Sequence, residues 1–179
     1  MSAMNFSDKV PVRGSLELLY MKGDYPVIVG SDIIIDPNRT QVVYKETGHN
    51  LVVDEGRLIL NQTMAGELPA GLSADPITYF CTGTGGYTGS SDSSTDPNPP
   101  TGADMDLYQP IFQTLISSKI HPNSLATTYV AMIGKEDSIG DLSEFGLKTA
   151  QGRLFCRKTT RPRYKDNEVF FIARWTIQF

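Results

Sequence analysis

The sequence predicts a mainly β protein: an antiparallel, β-sandwich-like domain with one or two short helices and a long Gly/Ser/Pro-rich loop. Three observations carry that expectation. Residues 126–179 hold four β-branched or aromatic runs, residues 15–44 hold three more, and between them residues 83–104 carry Tyr87 as their single large apolar side chain. At 179 residues the chain is long enough to bury roughly 70% of its unfolded surface without disulfide or metal staples.

The N-terminal runs, Ser15 to Met21 and Tyr25 to Asp36, flank Lys22-Gly23-Asp24, a turn composition that predicts a hairpin. Pro37-Asn38-Arg39 turns the chain into Thr40 to Tyr44. We therefore divide the chain into residues 1–47, an N-terminal β segment and candidate assembly arm, and residues 48–179, a β-sheet domain with an irregular loop at 84–105. After Asn50, the spacing of Leu51, Val52, Leu58, Ile59 and Met64 predicts a helix over 51–65, with Asn50 as N-cap, Asp54 and Glu55 in its early turns and Gly66 closing it. Gly56 inside that helix costs about 1 kcal/mol relative to alanine.

Ile77 to Thr82 reads as a strand, and Thr84 to Asp104 as an exposed, mobile loop whose composition does not repay the entropy of ordering. Leu107 to Ser117 has the spacing of a short helix with Pro110 near its first turn. Four strands follow at Ala126–Ile133, Leu142–Lys148, Arg153–Thr159 and Glu168–Phe179, with Thr149-Ala150-Gln151-Gly152 joining the middle pair as a hairpin. In the last strand Val169, Phe171, Ala173, Trp175, Ile177 and Phe179 share one face, which must be buried. Phe170 and Ile172, on the other face, are candidates either for packing a second layer or for contact between subunits.

Charge narrows the partners. With 16 Lys and Arg against 20 Asp and Glu, and a formal charge of -4, the chain lacks the basic footprint of a phosphate-backbone binder, so no direct nucleic-acid partner is expected. Arg153, Arg157, Lys158, Arg161, Arg163 and Lys165 form one basic cluster near the C-terminus. A charged, solvated strand edge accounts for it, with a binding patch as the alternative. No apolar run reaches the length of a membrane span, and Met1 to Val12 lacks the pattern of a signal peptide, so synthesis in the cytoplasm and no membrane partner are expected.

Candidate chemistry is sparse. His49 and His121 lie in no motif that pairs them with a nucleophile or metal partner, and Cys81 and Cys156 read as buried thiols, with a disulfide as the alternative. Gly83-Thr84-Gly85-Gly86-Tyr87-Thr88-Gly89 lacks the Gly-Lys-Ser/Thr ending of a phosphate-binding loop and has Thr88 at the third glycine of a dinucleotide fingerprint. Asp92, Asp96, Asp104 and Asp106 do not have the spacing of a calcium loop. No catalytic residue, cofactor or metal is expected, and the chain is read as a non-enzyme.

Five ordered segments carry a resemblance: Gly48 to Gly56 (GHNLVVDEG), Ile77 to Gly85 (ITYFCTGTG), Leu142 to Leu147 (LSEFGL), Gly152 to Arg157 (GRLFCR) and Ala173 to Phe179 (ARWTIQF). Over residues 48–179 this order resembles a family of tailed-bacteriophage virion structural proteins of the neck/collar, tail-attachment or head-decoration type. Lys148-Thr149 and Thr159-Thr160-Arg161-Pro162 depart from the family's more apolar continuation, leaving the hairpin more polar and basic. The resemblance implies a virion protein, neck/collar or tail-associated, that forms homo-oligomers and contacts other virion proteins near the head–tail junction or along the tail. A capsid-decoration or head-fibre protein is the alternative, as is a receptor- or carbohydrate-binding β-domain using Tyr79, Tyr87 and Tyr108. Phe170, Ile172, Arg157, Arg161 and Arg163 are the candidate interface residues.

Overall fold

The computed structural model describes residues 12–29, 32–67, 74–88 and 96–179. Its elements in chain order are β1 (Arg13–Gly23), β2 (Val27–Val29), β3 (Asp32–Ile34), β4 (Thr40–Val52), α1 (Asp54–Ala65), β5 (Ile77–Gly83), β6 (Tyr87–Thr88) and β7 (Asp96–Pro97). β8 (Pro110–Leu115), β9 (Ser118–Asn123), β10 (Ala126–Ile133), β11 (Gly140–Thr149), β12 (Leu154–Lys165) and β13 (Val169–Gln178) complete the chain. The protein is mainly β, as the alternating runs predict.

Nine strands form one antiparallel sheet in the order β8-β5-β11-β12-β4-β1-β13-β10-β9, curled into a half-barrel. Its curl follows from connectivity: β8 and β9 occupy opposite ends of that order, yet only Ile116 and Ser117 separate them. The Ile116 N–H donates to Thr78 O on β5 (2.9 Å), and the next N–H, of Ser117, donates to Val130 O on β10 (2.8 Å). The chain thus crosses from one edge to the other in two residues, which brings the edges together. At the opposite corner β4 leaves β1, and its last residues, Leu51 and Val52, pair with Arg157 and Cys156 of β12. The two corners divide the sheet into facing layers, β4-β1-β13-β10-β9 and β12-β11-β5-β8, the arrangement of a sandwich.

Period-two alternation fills the space between the layers. Leu16, Leu18 and Tyr20 of β1 pair with Trp175, Ala173 and Phe171 of β13, and all six are buried on the inner face. Phe80 of β5 and Phe145 of β11 meet them from the other layer: Phe80 lies edge-on to Trp175 (centroids 6.1 Å apart) and Phe145 edge-on to Phe171 (6.2 Å). Val169, Phe171, Ala173, Trp175 and Ile177 are buried as their alternation predicts, whereas Phe179 at the end of the row is exposed. On the reverse face Leu19, Met21, Val130, Phe170 and Ile172 form a second cluster, covered in part by Ile33 and Ile35.

Several elements differ from the sequence expectation. β1 does not hairpin with residues 25–36; it lies between β4 and β13, while β2 and β3 pair with each other through Val27–Ile34 and Ile28–Ile33. β4 runs unbroken across positions 47 and 48, and both it and β1 belong to the nine-stranded sheet, whereas β2 and β3 form a separate two-stranded one. The helix begins at Asp54, because β4 continues through Asn50 to Val52 and Val53 stands at the N-cap. Gly66 ends it as expected, in the left-handed conformation at φ 70°, where its N–H reaches back to the last turn. Leu107–Ser117 forms no helix: residues 110–115 are β8, an end strand on which Pro110, lacking an N–H, is tolerated. β9, with Pro122, occupies the other end by the same logic. The Thr149–Gly152 turn joins β11 to β12 as predicted.

Candidate functional site

Three of the five segments behind the family resemblance meet at one buried cluster. β11 delivers Glu144 from LSEFGL, β12 delivers Arg157 from GRLFCR, and the chain leaving β5 delivers Gly85 from ITYFCTGTG. Glu144 and Arg157 are fully buried. The Glu144 carboxylate accepts hydrogen bonds from the backbone N–H groups of Gly85 (3.0 Å), Tyr108 (3.0 Å) and Gln109 (2.7 Å), and from Arg157 Nε (3.1 Å) and Nη2 (2.9 Å). Arg157 Nη1 donates to Asp104 Oδ2 (2.9 Å), and the Tyr108 ring lies over the guanidinium, 4.4 Å from its centroid. Beside this cluster, Ser143 Oγ accepts from the Gly86 N–H at 3.0 Å.

A carboxylate left unpaired in this interior would cost several kcal/mol; here both charges are paired and the carboxylate oxygens are saturated with donors. Gly85 is required by the close approach, since a Cβ there would lie 2.7 Å from Glu144 Oε1. Asp104 is buried as well, accepting from the Thr101 N–H (3.0 Å) and hydroxyl (2.6 Å). Burial raises its pKa, but the Thr101 bonds and Arg157 outweigh that and hold it below the usual carboxylate value. The expectation of an exposed, mobile segment from Thr84 to Asp104 is therefore corrected at both ends, where Gly85, Gly86 and Asp104 are tied to the sheet; residues 89–95 lie outside the described residues.

The basic cluster does not form one solvated edge. Arg153 pairs with Glu55 of α1 (2.5 Å) and with buried Asp75 (3.5 Å), which fastens the helix to β12. Arg157 sits in the clasp just described. Lys165 is buried with Nζ donating to Lys135 O (2.9 Å) and Asp166 O (3.3 Å), and desolvation lowers its pKa against the attraction of Asp137, Asp166 and Glu136. Arg161 is exposed, and Arg163 stacks over the Tyr44 ring across the corner between β12 and β4 (3.3 Å).

Of the candidate interface residues, then, Phe170, Ile172 and Arg157 are buried within the fold of the single chain, while Arg161 and Arg163 remain at its surface. Phe170 lies 4.9 Å, centroid to centroid, from the Tyr25 ring beneath the segment that covers the second cluster, which is the layer-packing alternative. Sequence reasoning missed Glu144 and Asp104 as Arg157 partners. The available signal was an acid inside Leu142–Leu147, a stretch with every residue buried.

His49 and His121 lie on β4 and β9, at opposite sides of the five-strand layer, and His121 Nδ1 meets the Thr127 hydroxyl at 3.2 Å. Cys81 and Cys156 are free and buried; burial pushes the Cys81 thiol up to about 12 and Cys156 well above its ordinary value. Among the described residues no group of three or more His, Cys, Asp or Glu side chains is arranged to hold a metal ion, and no helix is long and apolar enough to cross a membrane. Tyr108 is engaged with Arg157, and Tyr79 packs against a separate buried group of Val53, Cys81, Leu107 and Leu154. No protein-family model, curated protein or solved structure matches the chain.

Proposed function

We propose that the chain is a structural component of a tailed-phage virion, neck/collar or tail-associated, that forms homo-oligomers and contacts other virion proteins. The observation behind this reading is the convergence of ITYFCTGTG, LSEFGL and GRLFCR on Glu144 and Arg157. A set of segments that resembles a virion family in order also packs as one three-dimensional unit, as a shared structural pattern would. The two-cornered sheet provides a scaffold, and the stretch of β4 from Gln41 to Asn50, which has no second backbone partner among the described residues, offers a surface for assembly. Disrupting the gene in the phage and imaging the particles tests the proposal. Incomplete or unstable particles, rescued by the parent gene in trans, are expected; fully formed, infectious particles in normal yield would overturn it.

A further inference from the structure

Of the edges that the nine-stranded sheet leaves open, β8 carries the least protection. Beside the open stretch of β4, Arg163 lies over Tyr44 and Lys158 Nζ lies against Gly48, and β9 carries Lys119 and Pro122. Charge and proline at such places are what keep natural sheets from pairing edge to edge. β8 (PIFQTL) has no charged residue, and its proline stands at the first position. Its side chains are also uncovered: Ile111 is 44% exposed and Leu115 62%.

The backbone defines how much of this edge is free. The Ile116 N–H donates to Thr78 O, so β8 turns the N–H and C=O groups of Phe112, Thr114 and Ile116, alternate residues, toward β5. Those of Ile111, Gln113 and Leu115 point the other way, where β8 has no backbone partner among the described residues. At one end the shift in the β5 register falls beside Pro110, and at the other β10 takes over at Ser117, whose N–H donates to Val130 O. The free ladder therefore runs from Ile111 to Leu115.

We propose that β8 pairs antiparallel with β8 of a second copy of this chain, about a twofold axis at Gln113. Gln113 then faces its own copy, and Ile111 faces Leu115 of the partner subunit. The outward backbone groups meet as hydrogen-bonded pairs, each exchanging two bonds, about six in all. The two flanking pairs are aliphatic, and each lies on one face of the joined sheet. No other register uses the edge as fully. A shift of one residue sets these groups against Phe112 and Thr114, whose backbone groups are directed at β5. A shift of two sets Ile111 against Ser117, already bonded to β10, or Leu115 against Gln109, whose N–H donates to Glu144 (2.7 Å) and whose carbonyl accepts from the Thr84 N–H (3.0 Å). This self-complementarity, the same residues supplying both sides, is the argument for a second copy as the occupant. The inference deepens the reading of the chain as a subunit that forms homo-oligomers and rests on it.

The test uses the full chain and sedimentation equilibrium. The parent should dimerise. Ile111→Lys/Leu115→Lys, which sets like charges across both flanking pairs, should weaken the dimer about tenfold or more. Ile111→Lys/Leu115→Glu, which sets opposite charges there, should recover much of the loss. Both positions are exposed, so the Tm of either variant, measured at a concentration where it is monomeric, should match that of the Ile111→Ala/Leu115→Ala monomer. Hydrogen-bonded pairs stand about 5.5 Å apart at Cα, within reach of a disulfide. A chain with Ile111→Cys mixed with one carrying Leu115→Cys should therefore form, on oxidation, an intermolecular disulfide that neither forms alone; Cys81 and Cys156 are buried. A monomeric parent, a dimer indifferent to the two lysines, or a mixture that cross-links no better than its components would each overturn the proposal. Particle imaging reads the other claim: a virion defect on gene loss together with an indifferent lysine variant would remove the β8 interface and leave the virion reading in place.

Discussion

Arg157 meets Glu144 side-on: its Nε and Nη2 both donate to one carboxylate oxygen, Oε2, at 3.1 and 2.9 Å, with both side chains fully buried. The pair joins neighbouring strands β11 and β12, and through the remaining donors of Glu144 it fixes the backbone at Gly85, Tyr108 and Gln109.

Removing one member of the pair leaves the other charge stranded. Glu144→Ala or Arg157→Met is expected to cost about 3 to 5 kcal/mol in urea unfolding. The double variant Glu144→Ala/Arg157→Met should lose less than the sum of the single changes, because neither member of the pair is then left without the other, while Asp104 loses Arg157 in the single and the double variant alike. Strict additivity would show that the two side chains do not depend on each other.

Acid should loosen the same cluster through Asp104. Its pKa is depressed in the folded chain, so its contribution is present above the unfolded value of about 3.9 and is lost as pH falls through the folded value. Urea midpoints measured from about pH 6 to about pH 2 should fall below about pH 4. Asp104→Asn should flatten that part of the profile, and an unchanged profile in the variant would assign the acid sensitivity to other carboxylates.

Gly56 supplies a prediction whose sign opposes helix propensity. Alanine is favoured by about 1 kcal/mol in a helix interior, but a Cβ at position 56 would stand 2.1 Å from the Phe155 carbonyl oxygen. Gly56→Ala should therefore destabilise the protein, by at least about 1 kcal/mol once the shift of α1 from β12 is included. A stabilised variant would contradict the packing of the helix on β12.

Trp175 lies at the centre of the inner face, beside Phe80 and opposite Leu16 and Tyr129 on the flanking strands. Trp175→Ala should cost about 3 to 5 kcal/mol. Its indole N–H has no hydrogen-bond partner among the described residues, so Trp175→Phe should retain most of the stability. Both are read from urea midpoints at constant slope.

What was legible in the sequence was local. The uninterrupted apolar alternation from Val169 to Ile177 gave the core strand, and Thr149–Gly152 between two apolar runs gave the hairpin. What was not legible depends on distant partners. Leu107, Ile111 and Leu115 have helical spacing, yet residues 110–115 form a strand because β5 offers its edge. Arg157 reads as a surface charge until Glu144 and Asp104, 13 and 53 residues away, are brought beside it. Asn50 reads as a helix cap, but pairing with Gly14 keeps it in β4. In each case a long-range contact outweighs a local preference of about 1 kcal/mol or less.

The most direct test of the central claim, that this chain is part of an assembled particle, is quantitative mass spectrometry of purified, infectious virions. The account predicts the protein in the particle at a fixed copy number relative to the other structural proteins, retained through density-gradient purification. Its absence from infectious virions while abundant in the infected cell would contradict the account.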